Sequence, residues 1–439
     1  MIRQVTALTV AAALLSGCGA IGKSRPKTPV VGDRVSVLST DPDVQVDSAT
    51  AALPFTLPAP AVNEAWNQPG GTPSKSAGHP ALPTTLSESW NVSIGQGTSV
   101  DARLAAPPVV AGGNVYTIDT SATVRAFDAA TGGLRWAVQF GTERGNNASL
   151  FGGGVAVEGD KVFATNGLGF VAALSTANGA EVWQKRPGGP LRGAPTVVGD
   201  TLYVMSQDNQ LYSLKTADGT TNWSATAAVE IAGVFGTGAP AFDRGTVVAG
   251  FSSGELNAYR FENGRAVWQD ALSRTSISTS VATLSDIDAS PVIDNGQVFA
   301  LGQGGRMVAL DLITGQRIWE LNLAGIATPW VAGDWVFTVT DDAKVMAIAR
   351  STGKIRWINQ LPEFEKPKAK RGPISYVGPV LAGGRLILAG ENGVMVNIDP
   401  ATGAFQSQTN IGAPVSQPPV VANNTLYVLD DKGRLHAYR

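Results

Sequence analysis

One eleven-residue pattern constrains this chain more than any other feature. Ala126-Phe-Asp128-Ala-Ala-Thr131-Gly132-Gly-Leu-Arg-Trp136 is repeated as Ala-x-Asp-x-x-Thr-Gly-x-x-x-Trp at Ala309–Trp319. Degraded copies centre on Gly179/Trp183, Gly219/Trp223, Gly264/Trp268 and Gly353/Trp357, and a further copy at Gly403 has lost its Trp. A strand that enters a tight Gly turn and leaves with a Trp is a hairpin carrying one large apolar anchor. Its recurrence makes the chain a ring or stack of one supersecondary unit.

Each unit supplies four short strands. In the first, Pro107–Ala111, Asn114–Asp119 and Thr123–Asp128 precede a strand carrying Trp136. The turn glycines 132, 179, 219, 264, 315, 353 and 403 are spaced by 47, 40, 45, 51, 38 and 50 residues. Four strands per repeat of about 45 residues is the signature of a β-propeller blade. Constant strand cores with variable loops fit a scaffold whose connections lie on its surface.

The ends set the count. After Gly403 come three more strands, Pro418–Ala422, Thr425–Asp430 and Arg434–Tyr438, and the sequence stops at Arg439. A strand around Leu86–Ser93 carries Trp90, 46 residues before Trp136, with no Gly turn ahead of it. This strand is expected to complete the last blade and remove a sheet edge. The expected fold is therefore all-β: an eight-bladed propeller over residues 84–439, with four-stranded antiparallel blades and the last blade closed by the N-terminal strand. Trp90, Trp136, Trp183, Trp223, Trp268, Trp319 and Trp357 are expected to be structural, each burying up to about 200 Å² between blades.

Charged residues make up 15% of the chain, with a net charge of −2. No basic stripe points to nucleic acid. The two histidines, His79 and His436, are isolated, and the one cysteine, Cys18, excludes an intrachain disulfide. No metal site and no cofactor are expected.

Residues 1–17 hold Arg3, an apolar run from Val5 to Leu15, then small residues. That is a signal-peptide pattern, too short for a good membrane span. It ends in Leu15-Ser16-Gly17-Cys18, which resembles the bacterial lipobox, so Cys18 is expected to carry the lipid anchor. Residues 18–83, rich in Pro, Ala, Ser, Thr and Gly, read as a flexible tether. Trp66 could pin part of it to the domain.

Catalytic signatures are missing: the sequence holds no HExxH, GxSxG, Walker loop or Cys–His pair. Gly167-Leu-Gly169-Phe-Val-Ala172 matches a dinucleotide-binding spelling but lies between two strands with no helix to receive a phosphate.

The repeat resembles that of the pyrroloquinoline quinone (PQQ) propeller superfamily, whose enzymes carry an adjacent Cys pair and a calcium site. With Cys18 given to the anchor, that Cys pair has no counterpart here. A closer resemblance is to the BamB family, the propeller lipoproteins of the outer-membrane β-barrel assembly machinery. Two stretches carry it beside the lipobox and blade count. Leu191-Arg192-Gly193 joins the second and third blades, and Leu284-Ser285-Asp286-Ile287-Asp288 precedes the fifth. In the family, a Leu-Arg-Gly loop and a Leu-Ser-Asp-Val-Asp loop contact BamA, the barrel-inserting subunit. Here Ile287 replaces Val, and Gly189 stands where an apolar residue is often found.

Both loops join an outer strand to the next inner strand. They therefore emerge on the face opposite the Thr-Gly turns, about 90° apart around an eight-bladed ring. An insertion at 271–289 enlarges the second. The resemblance implies a non-enzymatic scaffold, lipid-anchored on the periplasmic face of the outer membrane. It would dock on BamA and assist insertion of unfolded outer-membrane proteins. Leu191 would act as apolar contact, Arg192 as donor, and Asp286 and Asp288 as acceptors. Alternatives are a PQQ-dependent dehydrogenase or a propeller binding another envelope ligand. A second enlarged loop, 361–376, holds Glu363, Glu365, Lys366, Lys368, Lys370 and Arg371. It reads first as a solvated loop, and otherwise as a contact for acidic lipid or a partner.

Overall fold

The computed structural model describes residues 44–141, 153–228, 236, 238–272 and 285–439. The expected signal segment 1–17, Cys18, tether residues 18–43, Leu284 and most of the 271–289 insertion lie outside them.

Eight four-stranded antiparallel sheets form the eight blades of a propeller. The first blade runs Val109–Ala111, Asn114–Ile118, Thr123–Asp128 and Leu134–Gln139, hydrogen-bonded in that order from the axis outward. Inner and middle strands are buried on both faces by neighbouring blades. They therefore read as nearly unbroken apolar runs, such as Leu-Tyr-Val-Met at 202–205. Outer strands bury little besides the Trp, as in Glu-Val-Trp-Gln-Lys at 181–185.

Each copy of the repeat pattern is the turn between the third and outer strands of one blade. Within the turn, Asp128 Oδ1 accepts from the backbone of Ala130 and Thr131 and from the Thr131 hydroxyl, at 2.9, 2.9 and 3.0 Å. These bonds hold the Asp128 carboxyl below the usual range. Gly132 then takes φ +74°, where a side chain would be strained. The Trp of each blade crosses to the turn of the following one. Trp136 Nε1 donates to the carbonyl of Thr176, Trp183 to Thr216, Trp223 to Phe261, Trp268 to Leu312, Trp319 to Arg350 and Trp357 to Pro400. The acceptor always lies three residues before the turn glycine. The glycine is required a second time there, because a Cβ at Gly219 would stand 2.7 Å from the Trp183 ring.

Ring closure uses the N-terminal strand. Glu88–Ser93 pairs antiparallel with Arg434–Tyr438, so the first strand in the chain is the outermost of the eighth blade. Trp90 covers Gly132 as the other tryptophans cover theirs, but its Nε1 finds no acceptor. The carbonyl it would reach by analogy, that of Ala129, accepts instead from Arg439 Nη2 at 2.7 Å.

Residues 44–83 are not a free tether, which corrects the sequence reading. They cross the Thr-Gly face, where Val46 bridges to Ile355, and then fill the central channel. Residues 63–80 bond to all eight blades in turn. Trp66 exchanges backbone hydrogen bonds with Val110, and the Asn67 carbonyl accepts from Val157 N. The Gln68 side chain bonds Val197. The carbonyls of Pro73 and Ser74 accept from Phe242 and Ile293. Trp330 Nε1 donates to Gly78, the Pro80 carbonyl accepts from Gly383 N, and Asn63 Nδ2 donates to Val421. A segment without apolar periodicity is ordered because the ring presents it with an unpaired inner edge on every blade. Trp66 is 3% exposed and stacks on Trp330 at 6.1 Å, so it does pin the segment.

Candidate functional site

The connections from one blade's outer strand to the next blade's inner strand share the face opposite the Thr-Gly turns. Leu191 enters the inner edge of the third blade, bridging to Ser206, and its side chain is fully buried among Phe163, Leu202 and Val204. The apolar contact expected of Leu191 toward a partner is thus made with the protein's own core. Ser285 Oγ donates to the carbonyl of Ser252 at 3.1 Å, and Ile287 N donates to Phe251 at 3.1 Å. Ile287 packs on Gly250, where a Cβ would collide with it.

The structure brings Arg192 and Asp288 together across two blade junctions. Arg192 Nη2 donates to Asp288 Oδ1 at 3.3 Å, and Arg192 Nε donates to the carbonyl of Gly236 at 3.3 Å. Gly236 belongs to the junction between, so one guanidinium ties three successive junctions. Its Cα lies so close that a Cβ would overlap both Asp288 Oδ1 and Arg192 Nη2.

Arg192, Asp286 and Asp288 are 4%, 0% and 7% exposed, so none offers an open charged surface, which revises their expected role as direct contacts. Burial pushes Asp288 up to about 7, although the adjacent Arg192 pulls the other way. Burial likewise lowers Arg192, against the attraction of Asp288 and Asp286. Arg192 Nη1 and Asp288 Oδ2 lack a hydrogen-bond partner. A buried, incompletely bonded ion pair contributes little net stability but fixes geometry. What it fixes is the relative position of the loops: the exposed Pro190 of the first forms the surface with Gln207 and Asp208 of the adjoining turn in the third blade, and Ser285 is half-buried.

The 361–376 stretch lies on this face too. It contains a small hairpin, Phe364–Lys366 with Arg371–Pro373, turned through Lys370 at φ 48°. Its Glu, Lys and Arg side chains are exposed.

Among the described residues no group of three or more His, Cys, Asp or Glu side chains is placed to hold a metal ion. His436 lies between Glu88 and Asp430, at 2.9 and 3.3 Å, in the ring-closing blade.

Sequence reasoning missed Gly236 and Lys75. Gly236 stands in a Gly-rich connection with no pattern around it. Lys75 is buried in the channel, and the signal that could have found it is the Trp66-Asn-Gln-Pro-Gly-Gly71 run, an aromatic anchor followed by a tight turn.

Comparison with known proteins adds four findings. Residues 120–359 and 365–439 match the family model of outer membrane protein assembly factor BamB. The chain is 28% identical over 359 residues to the outer membrane protein assembly factor BamB of Escherichia coli K12, covering 81% of this chain and 88% of that one. Among solved structures, BamB from Moraxella catarrhalis aligns with a TM-score of 0.65 at 19% identity, over 81% of this chain and 98% of that one. The quinohemoprotein alcohol dehydrogenase from Comamonas testosteroni aligns with a TM-score of 0.68 at 14% identity, over 86% and 81%. At these identities the structural likenesses speak for the fold alone.

Proposed function

The chain belongs to the family of outer membrane protein assembly factor BamB, and from that membership we propose that it is a non-enzymatic scaffold of outer-membrane protein assembly. In this reading it is anchored through a lipid on Cys18 to the periplasmic face of the outer membrane, docks on BamA, and helps present unfolded barrel proteins for insertion. The dehydrogenase alternative draws only on a shared fold, which does not carry activity.

The observation that carries the proposal is the Arg192–Asp288 tie between loops that are 96 residues apart. A buried pair that locks three junctions on one face suits a preformed docking surface, because pre-ordered loops lose less entropy on binding. In this reading Arg192, Asp286 and Asp288 position the loops. The touching residues are Pro190, Gln207, Asp208 and Ser285. The doubly substituted Pro190→Glu, Ser285→Arg protein, changed only at accessible positions, should lose co-purification with BamA from solubilised membranes. Retention at the native level overturns the assignment.

A further inference from the structure

The channel holds a cavity of about 270 Å³ between the plugging segment and the loop face. Its walls are largely apolar and include Leu104, Ala327, Trp330 and Val380, while Trp66 and Lys75 of the plug line it from below. Lys75 is 3% exposed, and its ammonium donates to Thr196 Oγ1 at 2.9 Å. Among the described residues no carboxylate is in ion-pair range of it. Trp66 Nε1, equally buried, has no acceptor. The remaining charged residues lining the cavity are Arg103, Asp288 and Glu391. Arg103 and Glu391 are exposed, and Asp288 already has Arg192. The floor therefore holds one indole donor without an acceptor and an ammonium whose hydrogen bond goes to a neutral hydroxyl, in a site walled largely by hydrocarbon.

A lysine in such a place is costly unless something compensates it. Desolvation lowers Lys75 to about 7, so near neutrality it hovers between amine and ammonium. A few convergent polar groups at the base of an apolar cavity is the common form of a small-molecule site.

We propose that this cavity binds a small amphipathic anion, with a carboxylate-type headgroup at Lys75, Trp66 supplying a second donor, and an apolar body against Leu104, Ala327, Trp330 and Val380. The headgroup provides the counter-charge that Lys75 lacks. Because it favours the ammonium, binding draws a proton onto Lys75 wherever the free group is partly deprotonated. Affinity then falls as pH rises past the value at which free Lys75 loses its proton, approaching tenfold per pH unit well above it. The inference stands apart from docking on BamA, since it concerns the isolated chain.

Calorimetric titration of the purified protein with octanoate, and with 1-octanol as the uncharged counterpart, tests it. The expected result is one octanoate per chain, bound more weakly at pH 8.5 than at pH 7 by roughly tenfold or more. Lys75→Met, which replaces the ammonium by a side chain of similar length, should weaken octanoate at least tenfold and leave 1-octanol unchanged. Ala327→Phe, which fills the cavity from its wall, should remove binding of both. Absence of octanoate binding to the native protein overturns the proposal. So does undiminished octanoate binding in either variant.

Discussion

Trp183 lies over Gly219 of the following blade, so near that a Cβ there would stand 2.7 Å from the indole ring. The conserved geometry around the ring makes the turn glycine necessary for two separate reasons, its φ of +71° and the indole above it. Gly199, at φ +57°, has the first reason without the second, since nothing lies within 4 Å of its Cβ position. Gly199→Ala should therefore cost about 1–2 kcal/mol from backbone strain alone. Gly219→Ala should cost roughly 1–3 kcal/mol more from overpacking. Urea unfolding of the two variants checks the difference.

The indole hydrogen bond can be separated from the indole's bulk. Trp357 Nε1 donates to Pro400 at 2.9 Å, whereas Trp90 Nε1 has no acceptor. Trp357→Phe should thus be more destabilising than Trp90→Phe, by about 1 kcal/mol for the lost bond and by a further amount for its deeper burial. Equal losses in urea unfolding would show that the bond contributes nothing.

Ring closure should depend on pH. Burial opposes charge on His436, but hydrogen bonds to Asp430 and Glu88 outweigh it and raise the group above its usual 6.5. Its contribution is full below 6.5 and is lost as pH rises through the raised value. Glu88 is lowered from 4.5, chiefly by the hydrogen bond with His436, so its contribution is present above 4.5 and lost as pH falls through the lowered value. The closing strand is therefore best held between these limits. Thermal unfolding should show Tm declining as pH rises above 6.5 in the native protein, and less so in His436→Gln. The same decline in both proteins would remove His436 from the account.

The repeat pattern made much of this legible in advance. Asp128, Thr131, Gly132 and Trp136 do their work within a few residues or one blade period of one another, so their spacing alone reports the blade. Closure by the strand of Trp90 followed from the missing strand at the other end. The loop face was legible too, because the order of strands dictates which connections share a side. Burial was not. Leu191 and Asp286 read as loop residues, yet each becomes wholly buried because the loops fold back onto neighbouring blades. The ordering of residues 44–83 was hidden for a related reason. Its hydrogen bonds go to eight separate inner edges, and no local periodicity records partners that distant.

Gly236 gives a direct test of the buried tie. A methyl group at this position would occupy the space of the Arg192–Asp288 contact. Gly236→Ala should force the guanidinium and carboxylate apart inside a low-dielectric site, costing about 1–3 kcal/mol by denaturant unfolding. It should also weaken association with BamA, although Gly236 itself need not touch the partner. Unchanged stability and unchanged association together would mean that the pair does not hold the loops.

The central claim is that the face carrying the blade-to-blade connections meets BamA while the Thr-Gly face does not. Site-specific photo-crosslinking in intact cells tests it directly, with the crosslinking residue placed at Ser285 on the first face or at Ile313, 70% exposed, on the second. The account predicts a BamA adduct from position 285 and none from position 313. An adduct from 313 alone, or from neither position, would contradict it.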